Sequence, residues 1–337
     1  MNNTENINYP APKQEYKVLV RCFTFNHSKY IEDALNGFAM QQTSSPFVCL
    51  VMDDASTDGE QEVIKAWMER ECDMSGAETI DIPTSVVIIV PHKTNASCTF
   101  AFYLLKQNLY GTGDKKMNHV YPWRAKCEYE ALCEGDDYWI DPLKLQKQVD
   151  VMDTDDQIGL CYTRAKKFNQ SSGAFDSELC GLEYKGFSQM LQENPVVTLT
   201  TMYRVELHDK YIRDVNPYTK SWKMGDYPFW LWIAAHYKAH YLNDVTGVYR
   251  VLLNSASHSD NKMNYISFIL SSCDIQLFFA QNYSPDSIGK ISNKRNYYNS
   301  LLLAGQKKCF QSAKVFIRVN NKRAVDYIRW FKYLLCS

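Results

Sequence analysis

Acidic residues fall in three places where their spacing permits chemistry: Asp53-Asp54, Asp136-Asp137 with Glu134 just before them, and Asp226 directly after Gly225. Adjacent carboxylates repel one another and cost stability unless something positive sits between them. Magnesium and manganese prefer carboxylate oxygens and often take one or two from protein, completing their shells with phosphate oxygens. Paired acids of this kind therefore suit a divalent cation together with a diphosphate. The chain has neither a Gly-x-Gly-x-x-Gly stretch nor a Gly-x-x-x-x-Gly-Lys-Ser/Thr loop, the two common glycine-rich phosphate cradles. Charge on a diphosphate must then be met by the cation and by scattered basic residues.

The elements that would position these acids can be read from hydrophobic period. Lys17–Phe25 has the near-continuous apolar run of a buried strand. Ile31, Ala34, Leu35, Phe38 and Ala39 then follow helical spacing, with Ser28 as the expected N-cap. A second apolar run, Phe47–Met52, ends at Asp53, and Glu60–Glu71 reads as helix. Alternation of this sort predicts a Rossmann-like α/β fold with a mostly parallel sheet. Ligands bind such sheets beyond the carboxyl ends of the strands, where Asp53, Asp54 and Ser56 fall.

Further along, Ser85–Val90 reads as strand, Phe100–Leu105 as the start of a helix and Gly111–Trp123 as a long surface loop. Tyr129–Cys133 is a short strand running into the second acid cluster, after which Pro142 opens a helix. Ile158–Tyr162 and Val196–Tyr203 are expected strands, Tyr227–His240 a helix and Tyr241–Leu252 a strand or hairpin. Beyond about Asn254 the pattern is helical. These boundaries give a leader over 1–15, an α/β domain over 16–255 and a helical region over 256–337.

Composition narrows the function classes. A chain of 337 residues, 45% hydrophobic and 14% aromatic, can bury one large domain plus an appendage. Its formal charge of −1 excludes nucleic-acid binding as the main activity, which needs a net basic face. The eleven cysteines include no Cys-x-x-Cys pair, so buried reduced thiols are expected rather than a disulfide or zinc framework. Met1–Gln14 shows no signal-peptide pattern. The longest apolar segments, such as Phe229–Ala235, fall short of the roughly 20 residues a membrane span requires, and the expected location is cytoplasmic. Between Gly305 and Ser337, eight Lys/Arg stand against Asp326 alone, among Phe316, Trp330, Phe331 and Leu334. Peripheral contact with an anionic membrane and a solvated face on a packing helix are both open for that segment.

Taken in order, several motifs resemble the family-2 glycosyltransferases, which have the A-type nucleotide-diphospho-sugar transferase fold. They are Phe23-Thr24-Phe25-Asn26-His27 with Tyr30-Ile31, Gln41-Gln42-Thr43, Met52-Asp53-Asp54-Ala55-Ser56, Cys133-Glu134-Gly135-Asp136-Asp137-Tyr138-Trp139, Gly225-Asp226-Tyr227, and Tyr249-Arg250 followed by Ser255–Ser259. The resemblance covers roughly residues 16–260. It implies an inverting transferase that moves a sugar from a nucleotide-diphosphate donor, most simply a UDP-sugar, to a saccharide or lipid-linked saccharide in surface polysaccharide synthesis. It also implies that Asp54 reads the base within a nucleotide site of Phe23, Thr24, Asn26 and Ser56, and that Asp136 meets the ribose. Asp137 and His258 would hold Mn2+ or Mg2+, Arg250 would contact donor phosphate, and Asp226 would act as general base. Tyr138, Trp139 and Trp222 are the candidate surfaces for an acceptor sugar. Phe23 departs from the small polar residue many members carry there. Competing readings are a sugar nucleotidyltransferase, for which Thr24–Lys29 lacks the glycine-rich loop, and an inactive nucleotide- or glycan-binding module.

Overall fold

The structure is a computed structural model that describes residues 8–110, 116–252 and 261–335. Its elements begin β1 (Tyr16–Thr24), α1 (Ile31–Ala39), β2 (Phe47–Asp53), α2 (Glu60–Glu71), β3 (Glu78–Ile82), β4 (Ser85–Pro91), β5 (Cys98–Leu105), α3 (Met117–Arg124) and β6 (Cys127–Leu132). They continue β7 (Tyr138–Trp139), α4 (Lys144–Met152), β8 (Ile158–Asn169), β9 (Ala174–Phe175), α5 (Phe187–Gln192), β10 (Met202–Arg204), α6 (Val205–Val215), α7 (Tyr227–His236) and β11 (Lys238–Val251). Four helices follow: α8 (Lys262–Tyr283), α9 (Ile288–Gly305), α10 (Cys309–Ile317) and α11 (Ala324–Leu335).

One sheet runs β3-β4-β5-β2-β1-β6-β10-β8-β11-β7, with β9 paired to β8. Its centre, β5-β2-β1-β6, is parallel. Every residue of β2 is buried, as a strand covered on both faces requires. On one face Val18, Val20 and Cys22 of β1 pack with Leu35 and Phe38 of α1 and Ile64 and Trp67 of α2. On the other, Leu19, Leu50 and Tyr103 meet Val120 and Trp123 of α3. A third cluster joins Tyr203, Leu207 of α6 and Phe229–Ile233 of α7 to Cys273 and Phe279 of α8.

Three expectations are corrected. Phe100–Leu105 is not a helical start but most of β5, paired with β2 from Phe47↔Cys98 to Asp53↔Leu104. The loop expected up to Trp123 contains α3, which carries Val120 and Trp123 into the core despite Pro122. Val196–Tyr203 is a strand only from Met202, preceded by a 3-10 turn at Thr198–Thr200. In addition, α1 begins at Ile31 without a side-chain cap, and the Ser28 N–H donates instead to Asp58 (3.0 Å).

Candidate active site

A cleft of about 1400 Å³ lies between the carboxyl ends of β1 and β6 and the start of α7. Phe23, Asn26, Glu134, Asp136, Asp137, Trp222, Asp226 and Arg250 all line it, so two of the three acid sites face one space. Thr24, Asp54, Ser56, Tyr138 and Trp139 do not line it, and His258 lies outside the described residues.

The Glu134–Asp137 turn is fixed by β1 and by Arg250. Cys133 and Gly135 donate their N–H groups to the carbonyls of Arg21 and Phe23, both at 3.2 Å. A Cβ on Gly135 would sit 2.1 Å from Thr24 Oγ1, so only glycine permits this approach. The Arg250 N–H donates to Asp137 Oδ1 (2.7 Å), and its Nε donates to the Asp136 carbonyl (2.8 Å). Its remaining guanidinium nitrogens reach Gln170 (3.0 Å) and Asp33 (2.7 Å). The guanidinium also lies over the rings of Tyr30 and Tyr138, 4.7 and 5.2 Å from their centroids. Arg250 is thus a clamp on the acid turn, with each guanidinium nitrogen already engaged by protein.

Glu134 and Asp137 are poor anions as they stand. Burial, reinforced by Asp136, pushes Asp137 well above the usual carboxylate range against the opposing Arg250 N–H. Burial, with Asp136 and Asp226, lifts Glu134 to about 7. A cation in the cleft would reverse both effects. Their oxygens are hard donors of the kind Mn2+ and Mg2+ select. Among the described residues no group of three His, Cys, Asp or Glu side chains can hold a metal by itself. A cation at this turn would find fewer than three such side chains among the described residues and would need further ligands from elsewhere.

Buried Glu60, in the first turn of α2, knits the two loops beside the cleft. It accepts hydrogen bonds from Thr24 Oγ1, the His27 N–H (2.8 Å) and Ser56 Oγ (2.8 Å). Asn26, in the left-handed region at φ 59°, donates its N–H to Ser56 Oγ and accepts the Thr57 N–H at Oδ1, each at 2.8 Å. Asp54 accepts the Leu109 N–H (2.7 Å) and pairs with Lys116 (2.6 Å). In place of a small polar residue, Phe23 offers a ring covered by the Arg21 guanidinium at 4.6 Å. Nothing in the sequence marks Glu60 as different from other first-turn acids, and only its burial shows its role.

Asp226 lines the same cleft as the N-cap of α7, a helix apolar on all sides with Pro228 in its first turn. Its Oδ1 accepts the Tyr227 N–H (2.8 Å), and its Oδ2 accepts Thr198 Oγ1 (2.6 Å). Each oxygen keeps a lone pair for a further proton. Trp222 packs edge-on against Phe278 of α8, 5.4 Å between centroids, and still lines the cleft. Trp139 is instead a core residue: its Nε1 donates to the Leu199 carbonyl (2.7 Å) and its ring meets Phe38. Tyr138 lies against Arg250 rather than in the cleft.

The inner end of the cleft is aromatic, with Tyr203, His208, Tyr211, Phe229 and Trp230. His208 Nδ1, Tyr211 Oη and Trp230 Nε1 are buried there with no hydrogen-bond partner among the described residues. Burial, with Arg124 nearby, holds His208 at about 3 and hence neutral. Beneath it, buried Glu130 accepts Arg21 Nε (2.5 Å) and Arg124 Nε, while Arg124 Nη2 donates to Tyr203 Oη (2.7 Å).

No family model matches the chain. Over 184 residues, 54% of its length, the chain is 30% identical to uncharacterized proteins of Mycobacterium tuberculosis and Mycobacterium bovis, and the match spans 45% of those relatives. Among solved structures it is similar to S. aureus TarS in complex with UDP-GlcNAc, with a TM-score of 0.51 and 17% identity, over 94% of this chain and 79% of that one. A second TarS structure gives a TM-score of 0.51 at 14% identity, over 94% of this chain and 48% of that one. The fold is therefore the A-type glycosyltransferase fold that the motifs implied, an α/β architecture around a large, mostly parallel sheet.

Proposed function

We propose that the chain is an inverting glycosyltransferase that moves a sugar from a nucleotide diphosphate, most simply a UDP-sugar, to a hydroxyl of a saccharide or lipid-linked saccharide in surface polysaccharide synthesis. One observation carries this reading: Asp226 and the Asp136-Asp137 turn line a single cleft of about 1400 Å³. That a protein of the same fold binds UDP-GlcNAc supports it.

In this reading Asn26, Phe23 and Asp136 receive the nucleoside, with the loops behind them held by Thr24, Ser56 and Glu60. Asp54 shapes the same side, and it meets the base only if Lys116 gives up its Oδ2. Asp137 would hold Mn2+ or Mg2+, which would supply positive charge for the departing diphosphate. Arg250 keeps Asp137 in place through its own N–H. Asp226 takes the proton from the acceptor hydroxyl as it attacks the anomeric carbon from the far side, which inverts the linkage. Trp222, which lines the cleft, suits the apolar face of an acceptor sugar.

Thermal-shift screening of nucleotide sugars with Mn2+, followed by turnover assays of Asp226→Asn, tests this. Asparagine caps helices as well as aspartate, so the variant should still bind its donor while turnover falls by about 10²–10⁴-fold. Stabilisation by no donor, or undiminished turnover in the variant, would overturn the assignment.

A further inference from the structure

The C-terminal helices present a surface that the cleft does not use. One side of α11 docks on α10: Trp330 stacks on Phe316 at 4.5 Å between centroids, Tyr327 meets the same ring edge-on at 5.2 Å, and Trp330 Nε1 donates to Ser312 Oγ (2.8 Å). The other side carries Val325, Ile328, Phe331 and Leu335 at i, i+3, i+6 and i+10, exposed by 46, 57, 52 and 82%. Arg329 and Lys332, both exposed, flank that stripe. Helix α10 adds Phe310 and Ile317, two turns apart and 73 and 75% exposed, with the Lys314 ammonium 4.5 Å from the Phe310 ring. The single acid of the region, Asp326, is engaged with the Arg323 N–H (2.8 Å).

An exposed aliphatic stripe beside concentrated positive charge selects among occupants. A second copy of the chain in a two-fold contact would bring the same basic surface against itself. A polyanion such as nucleic acid has no use for Ile328 or Leu335. An anionic lipid surface meets both demands, with phosphate headgroups for Lys and Arg and the acyl boundary for the apolar stripe. We propose that α10 and α11 bind the surface of an anionic phospholipid bilayer, lying on it rather than crossing it. No helix of the described residues is long and apolar enough to cross.

The placement also links this face to the cleft. Tyr333 of α11 and Met263 at the start of α8 both lie against Gly305, and α8 supplies Phe268 to the cleft lining. A bilayer under α11 would thus lie beside the helix that forms part of the cleft, where a lipid-linked acceptor would arrive. That last clause rests on the transferase reading, whereas bilayer binding does not.

Flotation of the full chain with phosphatidylcholine vesicles, with and without phosphatidylglycerol, separates the two claims because it needs no activity. Binding should require phosphatidylglycerol and weaken as salt shortens the Debye length. Phe331→Asp, and Arg329→Glu with Lys332→Glu, should each reduce it about ten-fold or more. Phe331 is exposed, so circular dichroism and thermal unfolding of Phe331→Asp should be unchanged; Arg329 lies near Tyr297 of α9, and circular dichroism of the double variant checks that α11 stays folded. Failure to float with anionic vesicles at low salt would overturn the proposal, as would binding indifferent to both variants. Light scattering that shows a dimer which Phe331→Asp dissolves, without vesicle binding, would give the face to a second copy instead.

Discussion

At the scale of single residues, Glu130 shows how much the cleft depends on groups behind it. Burial alone would raise its carboxyl, but Arg124 and Arg21 hold it at about 2, below the ordinary 4.5. A carboxyl depressed in the folded state contributes stability that is fully present above its unfolded pKa and is lost as pH falls through the folded one. Urea unfolding should therefore show stability declining between pH 4.5 and about 2, and Glu130→Gln should flatten that slope. The same variant leaves the buried Arg124 guanidinium and the partly buried Arg21 guanidinium without their counter-charge, which should cost roughly 3–5 kcal/mol at neutral pH. Thr198 makes a narrower test, since its hydroxyl donates to Asp226 Oδ2 and leaves the donor side alone. Thr198→Val should lower kcat about ten-fold, the loss of one hydrogen bond to a charged group, with donor affinity unchanged. Equal kcat in variant and native protein would show that this contact does not orient Asp226. The acid clusters were legible in the sequence because they stand in order with the other motifs, whereas a lone pair such as Asp155-Asp156 is an ordinary turn. Arg250 was legible only as a motif residue: its acceptors lie as far away in sequence as Asp33, and no local pattern announces a clamp of that span.

At the scale of elements, period alone could not decide Phe100–Leu105, because a short apolar run suits a buried helix and a central strand equally. Pairing decided it, since β5 completes the parallel centre beside β2. Interrupting Gly, Asn and Lys residues pointed to a loop, yet α3 forms and buries Val120 and Trp123 even with Pro122 inside it, which forgoes a backbone hydrogen bond. The strand-helix alternation of the first 70 residues needed no such arbitration, because both periods there are long and clean. One contact between elements invites measurement. A Cβ on Gly37 of α1 would meet the backbone N and O of Trp139 in β7, each at 2.9 Å, and neither atom can rotate away. Gly37→Ala should push α1 off β7, which directly follows the acid turn. Destabilisation of about 1–3 kcal/mol in urea unfolding is expected, together with weaker donor binding. Native stability in that variant would mean that the two elements separate freely.

At the scale of the whole molecule, the site is divided among parts of the chain that meet only when the sheet is complete. Asp137 leaves β6, Arg250 ends β11 and Asp226 caps α7, and among the described residues none of these segments gathers enough ligands to hold a cation alone. Metal and diphosphate should therefore bind as mutual ligands: each supplies what the protein withholds from the other. The thermodynamic consequence is positive coupling, reciprocal by necessity. Mn2+ alone and UDP alone should each raise Tm only slightly at concentrations where the two together raise it by more than the sum, in the manner of any ligand specific to the folded state. Asp137→Asn should abolish the excess shift while leaving the small separate ones, because the vicinal Asp136 and the loops around Asn26 remain. A large shift from Mn2+ by itself, saturating without nucleotide, would mean that the chain supplies a complete metal site of its own, and the shared-ligand account of the cleft would fail.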